Sequence, residues 1–256
     1  PGTVSSVVCV GVCTLRYTTY LQAQDLVVGV EDYETKAGMS RLYNYVNFDR
    51  FSSLPVTGTN GEPYVEEIIG VSPQVIVMSS YASVDADDLQ SKSGIPVVVV
   101  PGSDTTLDDK AYETIRILGE LYGKEDRAQE LTAYLHGIEE DLAQRTEGIA
   151  DEDKPSAYVC GVSFKGAHGF EGTEANYGPF VLIRANNLAD ATGQELAFDI
   201  DPEQVLVWDP DVIFVDFNGL DLIREDYAKK DTGTRIRWKP DLEVFTDIDV
   251  PAEYYL

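Results

Sequence analysis

Positive charge is scarce in this chain of 256 residues, where 19 Lys and Arg stand against 45 Asp and Glu, for a formal charge of −26 and a pI near 4.2. A surface of that sign repels polyanions, which excludes sequence-independent nucleic-acid binding, and it disfavours an anionic membrane surface for the same reason. Histidine is also rare, at two residues, and cysteine stops at three. Cys9 and Cys160 sit in apolar, strand-like segments, so buried free thiols are expected rather than a disulfide framework or a metal site. Long apolar runs are absent. The longest, Ile95 to Pro101, is strand-sized and well short of the roughly 18 residues of a membrane span. Several catalytic signatures are missing too: no Gly-x-Ser-x-Gly, no Gly-x-x-x-x-Gly-Lys-Ser/Thr, no His-Glu-x-x-His and no cysteine cluster.

Apolar side chains are not scarce. They make up 43% of the chain, enough to bury a core, so the acidity belongs to a solvated coat. Short β-branched runs at residues 6–10, 26–30, 75–78, 97–100, 157–162 and 212–216 read as strands, and the helical spacing between most of them predicts parallel sheets in α/β layers. Leu107, Ala111, Ile115 and Leu118 share one helical face. Ala128, Leu131, Leu135, Ile138 and Leu142 share another, on a helix expected from about Lys124 to Thr146, roughly 33 Å long.

One pattern occurs twice. Residues 65–77, Val-Glu-Glu-Ile-Ile-Gly-Val-Ser-Pro-Gln-Val-Ile-Val, align without gaps on residues 202–214, Pro-Glu-Gln-Val-Leu-Val-Trp-Asp-Pro-Asp-Val-Ile-Phe. Each copy reads as a short helix with a Glu near its start, a Pro that stops it, and a buried strand. Strand-like runs at 6–11 and 156–161 precede the two copies at matching places. The duplication predicts two similar Rossmann-like α/β lobes, 1–104 and 155–256, joined by a helical segment, 105–154, with the second lobe shortened. Two such lobes enclose a cleft at the carboxyl ends of their strands, where ligands bind.

The paired Glu-x-(Ile/Val)-(Ile/Leu)-x-x-x-Pro-x-Val-Ile motif, the single long linking helix and the Gly-rich segment Gly161–Glu174 together resemble the substrate-binding proteins of ABC importers for iron-siderophores, cobalamin and haem. The resemblance runs from about residue 5 to 230. It implies capture of a metal chelate outside the cytoplasmic membrane, delivery to a permease dimer, little lobe closure because a rigid helix joins the lobes, and no catalysis. It also implies that Glu66 and Glu203, one per lobe, are docking glutamates for permease arginines, which suits a twofold partner. Both positions are also good helix starts in their own right. The chain opens on Pro1, read as a processed or trimmed product, so a periplasmic or lipid-anchored, monomeric protein is expected.

In so acidic a chain, basic residues in strand-end loops stand out. Arg16 and Lys165 are the candidates for an anionic ligand, with Arg184 a weaker third. Tyr17, Tyr81 and Tyr177, with Phe164 and Phe170, offer flat walls, although core packing suits each as well. His168 lies among glycines with Glu171 and Glu174 nearby. A lone loop histidine is more often a structural hydrogen-bonder than a ligand, and with His136 inside the linking helix no histidine cluster for a bare metal ion can form. The expected ligand is therefore an already chelated metal, with no resident metal or cofactor. Cobalamin or haem, or a two-lobed enzyme, are the alternatives. Residues 231–256 show no clear period, where the family usually continues with further closing elements.

Overall fold

The computed structural model describes residues 4–37, 41–102, 107–164 and 166–228. The expected α/β fold with parallel sheets is present. In the first lobe, β1 (Val7–Val10), α1 (Thr14–Tyr20), β2 (Val27–Glu31), α2 (Leu42–Tyr45), α3 (Phe48–Phe51), β3 (Val56–Thr59), β4 (Glu62–Pro63), α4 (Val65–Val71), β5 (Val75–Ser79), α5 (Ala86–Ser93) and β6 (Val97–Val100) follow one another. Their sheet runs β4-β3-β2-β1-β5-β6, parallel except for the β3–β4 hairpin. That hairpin turns on Asn60 and Gly61, both at positive φ (46° and 77°), the conformation an Asn-Gly pair adopts most readily between two strands.

The second lobe is built from β7 (Ser156–Cys160), β8 (Gly172–Ala175), α8 (Gly178–Leu182), β9 (Asn186–Asn187), β10 (Leu196–Asp199), α9 (Pro202–Trp208), β11 (Val212–Val215) and α10 (Leu220–Ala228). Its parallel sheet is β11-β7-β9, and β8 pairs antiparallel with β10. The likeness of the lobes is thus closest in the repeated unit. Helices α4 and α9 each span seven residues and end on a non-glycine residue in the left-handed region, Ser72 (φ 50°, ψ 54°) and Asp209 (φ 50°, ψ 58°). Its N–H closes the last turn onto Ile68 O and Val205 O respectively, and Pro73 or Pro210 then starts the strand. The next residue locks that strand to its neighbour. Gln74 Oε1 accepts from Ser5 N–H (2.6 Å), and Asp211 Oδ2 accepts from Ser156 N–H (2.8 Å). Strands β5 and β11 then run parallel to β1 and β7, with Val75 opposite Val7 and Val212 opposite Ala157.

Between the lobes run α6 (Asp109–Tyr122) and α7 (Glu125–Arg145), separated by Gly123 in the left-handed region. The 21 residues of α7 give a rod of about 32 Å. Its apolar stripe serves both cores. Ala128 and Leu131 are buried in the first lobe's cluster with Ile115, Leu118 and Tyr122, and Leu142 lines a hollow together with Val159, Tyr177, Phe180 and Phe214 of the second lobe. Cys9 and Cys160 are buried free thiols on β1 and β7, each pushed up to about 12 by burial, which keeps them protonated and inert. Among the described residues no helix is long and apolar enough to cross a membrane. Lys165 and the segment 229–256, including the tail singled out above, lie outside the described residues.

Candidate functional site

Strand ends, as expected of an open parallel sheet, frame the cavity. It measures about 1010 Å³ and is lined by Val12, Cys13 and Arg16 after β1, Glu31 at the end of β2 and Tyr33 just beyond it, Arg41 and Tyr43 around α2, and Asn60 at the hairpin turn, with Tyr20 and Leu42 completing the first-lobe wall. From the second lobe Gly166 reaches it.

Two buried glutamates shape the first-lobe wall. Glu34, 1% exposed, accepts from Asn44 Nδ2 (2.7 Å), the Tyr43 hydroxyl (2.6 Å) and Arg41 Nη1 (3.1 Å). Arg41 also donates to Lys36 O (2.8 Å) and lies over the Tyr33 ring. A single carboxylate therefore holds the 41–44 segment against the cleft, and Arg41 is largely occupied by it. Burial, with the Glu34 charge next in order, pushes the phenols of Tyr33 and Tyr43 well above their ordinary range, so both remain O–H donors.

Glu31, 3% exposed, is held differently. Its Oε1 accepts from Gly11 N–H (3.0 Å) and Gly61 N–H (2.8 Å), which ties the end of β1 to the hairpin, while Oε2 has no hydrogen-bond partner. Buried polar atoms without a partner also occur at Asn44 Oδ1 and Thr173 Oγ1, but among the residues that line the cavity the second is Arg16. Its Nη2 donates to Cys13 Sγ (3.4 Å), its guanidinium lies 5.4 Å from the Tyr17 ring centroid, and its buried Nε has no partner. Buried polar atoms are nearly always paired with protein or ordered water, so the orphan donor and orphan acceptor on one cavity wall each leave room for one further partner.

The other sequence candidates fall elsewhere. Tyr17, 4% exposed, packs in the first lobe's core under Arg16 and is not on the cavity wall. Tyr81, 46% exposed, sits beyond β5 with its ring against Gly102. Tyr177 precedes α8, meets Phe180 edge-on (5.2 Å), and lines a separate hollow of about 330 Å³ beside α7. His168 stacks on Phe164 (3.8 Å), and its two ring nitrogens face Asp199 Oδ1 (2.8 Å) and Phe164 O (2.9 Å). Glu171 Oε1 accepts from Gly169 N–H (3.3 Å). Ligand atoms of His168, Glu171 and Asp199 lie within 4.8 Å of one another, close enough to hold a metal ion, but with both ring nitrogens engaged the arrangement braces Phe164 and residues 166–171. Glu66 and Glu203 are both exposed, each the second residue of its helix.

Sequence reasoning missed Tyr20, Glu31, Arg41, Tyr43 and Asn60. The Asn60-Gly61 hairpin signal was available and would have placed Asn60. Arg41 and Tyr43 carried no local signal, because a contact to Glu34 brings them to the cleft.

A family model described as periplasmic binding protein matches residues 7–235. The molybdate-binding protein MolA of Haemophilus influenzae is 23% identical over 223 residues, which cover 79% of this chain and 61% of that protein, so the chain spans about three-fifths of this relative's length. The solved structure of MolA bound to molybdate superposes with a TM-score of 0.71 at 21% identity, over 88% of this chain and 72% of that one. The vitamin B12 binding protein BtuF of Vibrio cholerae gives a TM-score of 0.62 at 16% identity, over 90% and 84% of the two chains. The family and these neighbours are solute-binding proteins rather than enzymes, and a match over residues 7–235 establishes that this chain belongs to the periplasmic binding protein family.

Proposed function

We propose that this chain captures an anionic metal chelate, of the iron-siderophore kind, in the cleft and delivers it to an ABC permease. The observation that carries this reading is Arg16, a half-buried cation whose buried Nε has no partner, on the wall of a cavity of about 1010 Å³ in a protein of charge −26. The volume favours a chelate over a bare oxyanion such as the molybdate named for the relative, which would leave most of the space to water.

Family membership implies a place of action outside the cytoplasm, and on this reading the protein works as a monomer, free or lipid-anchored, at the outer face of the cytoplasmic membrane. Glu66 and Glu203 are its contacts to the permease, since they are equivalent residues of a duplicated unit and both face solvent. Lys165 is a second cation for the ligand. Tyrosine fluorescence titrations with ferric siderophores, molybdate, haem and cobalamin test the proposal. Micromolar or tighter binding of a ferric chelate is expected. Tight binding of molybdate with no response to any chelate would replace this reading by an oxyanion one.

A further inference from the structure

Glu31 has features that a structural carboxylate does not need. Its Oε1 already does the structural work, joining Gly11 to Gly61. Its Oε2 is buried and unpartnered on a residue that lines the ligand cavity, the same cavity that carries the unpartnered Nε of Arg16. The two orphans are complementary in kind. Arg16 Nε can only donate. With Oε1 fixed as an acceptor by two N–H groups, any proton on the Glu31 carboxyl resides on Oε2, so this oxygen accepts when ionised and donates when protonated.

We propose that Glu31 makes ligand capture proton-linked: an oxygen anion is held with one proton shared between one of its oxygens and Glu31 Oε2, while Arg16 Nε donates to a second, unprotonated oxygen. The inference rests on the cleft reading above. An anion that approaches Oε2 without a proton meets a carboxylate and is repelled, so it binds only as one proton is taken up from solvent. A ligand that keeps a hydroxyl at that oxygen brings the proton itself. Glu31 thereby decides which face of the ligand points to the first lobe.

The surroundings agree. Burial, the leading influence, pushes the Glu31 carboxyl up against the lowering effect of the Gly11 and Gly61 N–H groups; the Glu34 charge adds to the rise, and the nearby Tyr33 hydroxyl, outside hydrogen-bond geometry to Oε2, lowers it slightly. From its own turn Tyr33 and Glu34 face Glu31, and Cys9 lies near it on β1. The hairpin brings the Gly61 N–H, and α4 turns Ile68 inward while Glu66 and Glu67 stay exposed. Arg16, Cys13 and Arg41 share the cavity.

The test uses two probes that carry no proton at neutral pH, molybdate and a hexadentate ferric tris-catecholate, titrated calorimetrically from pH 6 to 9 in buffers of different ionisation enthalpy. Wild type is expected to take up about one proton per ligand toward the alkaline end, with affinity falling about tenfold per pH unit there. Glu31→Gln keeps the Oε1 acceptor and replaces Oε2 by a fixed donor, so its profile should lack that uptake and that slope. Parallel profiles and equal proton counts in the two proteins would overturn the inference and leave the cleft reading standing. Failure of both probes to bind wild type would overturn both. Should Glu31→Gln not fold, the wild-type proton count decides alone, and a count near zero across the range refutes the proposal.

Discussion

The two lobes share a helix-Pro-strand unit down to the left-handed cap and the side chain that locks the strand start, yet they contribute unequally to the cleft. Among the described residues the first lobe supplies the charged and aromatic wall, and the second supplies Gly166. The duplicated unit is therefore frame, and the charged and aromatic lining of the cavity sits on other segments: the loop after β1, the turn after β2, α2 and the hairpin. The walls also differ in what holds them. Glu34 fixes the first-lobe wall through three side chains that converge on one buried carboxylate. In the second lobe, Phe164 and residues 166–171 have only a partly exposed His168–Asp199 pair and a ring stack.

Removing the hub tests this contrast most severely. Glu34→Ala leaves Arg41 without its carboxylate and Asn44 and Tyr43 without an acceptor, and is expected to cost about 3–5 kcal/mol in chemical denaturation. His168→Ala in the other wall should cost about 1 kcal/mol or less. Comparable losses would erase the distinction between a preorganised wall and a braced loop. Next in size, Arg16→Ala should weaken ferric-chelate binding by about 10- to 100-fold, the worth of a charged hydrogen bond of about 1.5–3 kcal/mol, with the fold intact. Tyr177→Phe, beside the separate hollow, should leave the affinity unchanged, and a loss as large as that of Arg16→Ala would move the ligand toward the second lobe.

A smaller effect is expected at Glu174, whose carboxyl is pushed up to about 7, by burial first and then by the Asp216 charge. Its folded form holds a proton that the unfolded chain has already lost. Stability should therefore fall as pH rises from the ordinary carboxylate range through about 7. Glu174→Gln cannot lose that proton, so it should gain about 1 kcal/mol over wild type at pH 8, after discount for partial exposure, and nothing at pH 4. Thermal melts at the two pH values measure it. Smallest of all, Glu66→Ala and Glu203→Ala should each shift folding stability by about 0.5 kcal/mol or less, as exposed first-turn acids do, while weakening association with a reconstituted permease. A large stability loss at either would mark it as a structural residue.

The frame was legible in the sequence because it is written locally. Helical spacing located α6 and α7, β-branched runs located the central strands, and the proline after each repeated helix marked the strand start. Strands β8, β9 and β10 left no such trace: Gly172-Thr-Glu-Ala and Asn186-Asn187 lack an apolar period, and their pairing depends on partners far along the chain. The site follows the same division. Arg16 could be read from its place after β1, whereas Arg41 and Tyr43 reach the cleft only through Glu34. Tyr17 shows the opposite error, since the loop after β1 turns into α1 and carries that ring inward to the core.

The continuous stripe of α7 bears on how the molecule comes apart. Ala128 and Leu131 belong to one core and Leu142 faces the other, so neither lobe can lose its packing without stripping cover from a helix that the other still uses. Most of a helix's stability in a folded protein comes from the packing of its apolar face rather than from its own propensity. The chain should therefore melt as one cooperative unit, with amides in the middle of α7 exchanging with solvent only when both lobes open.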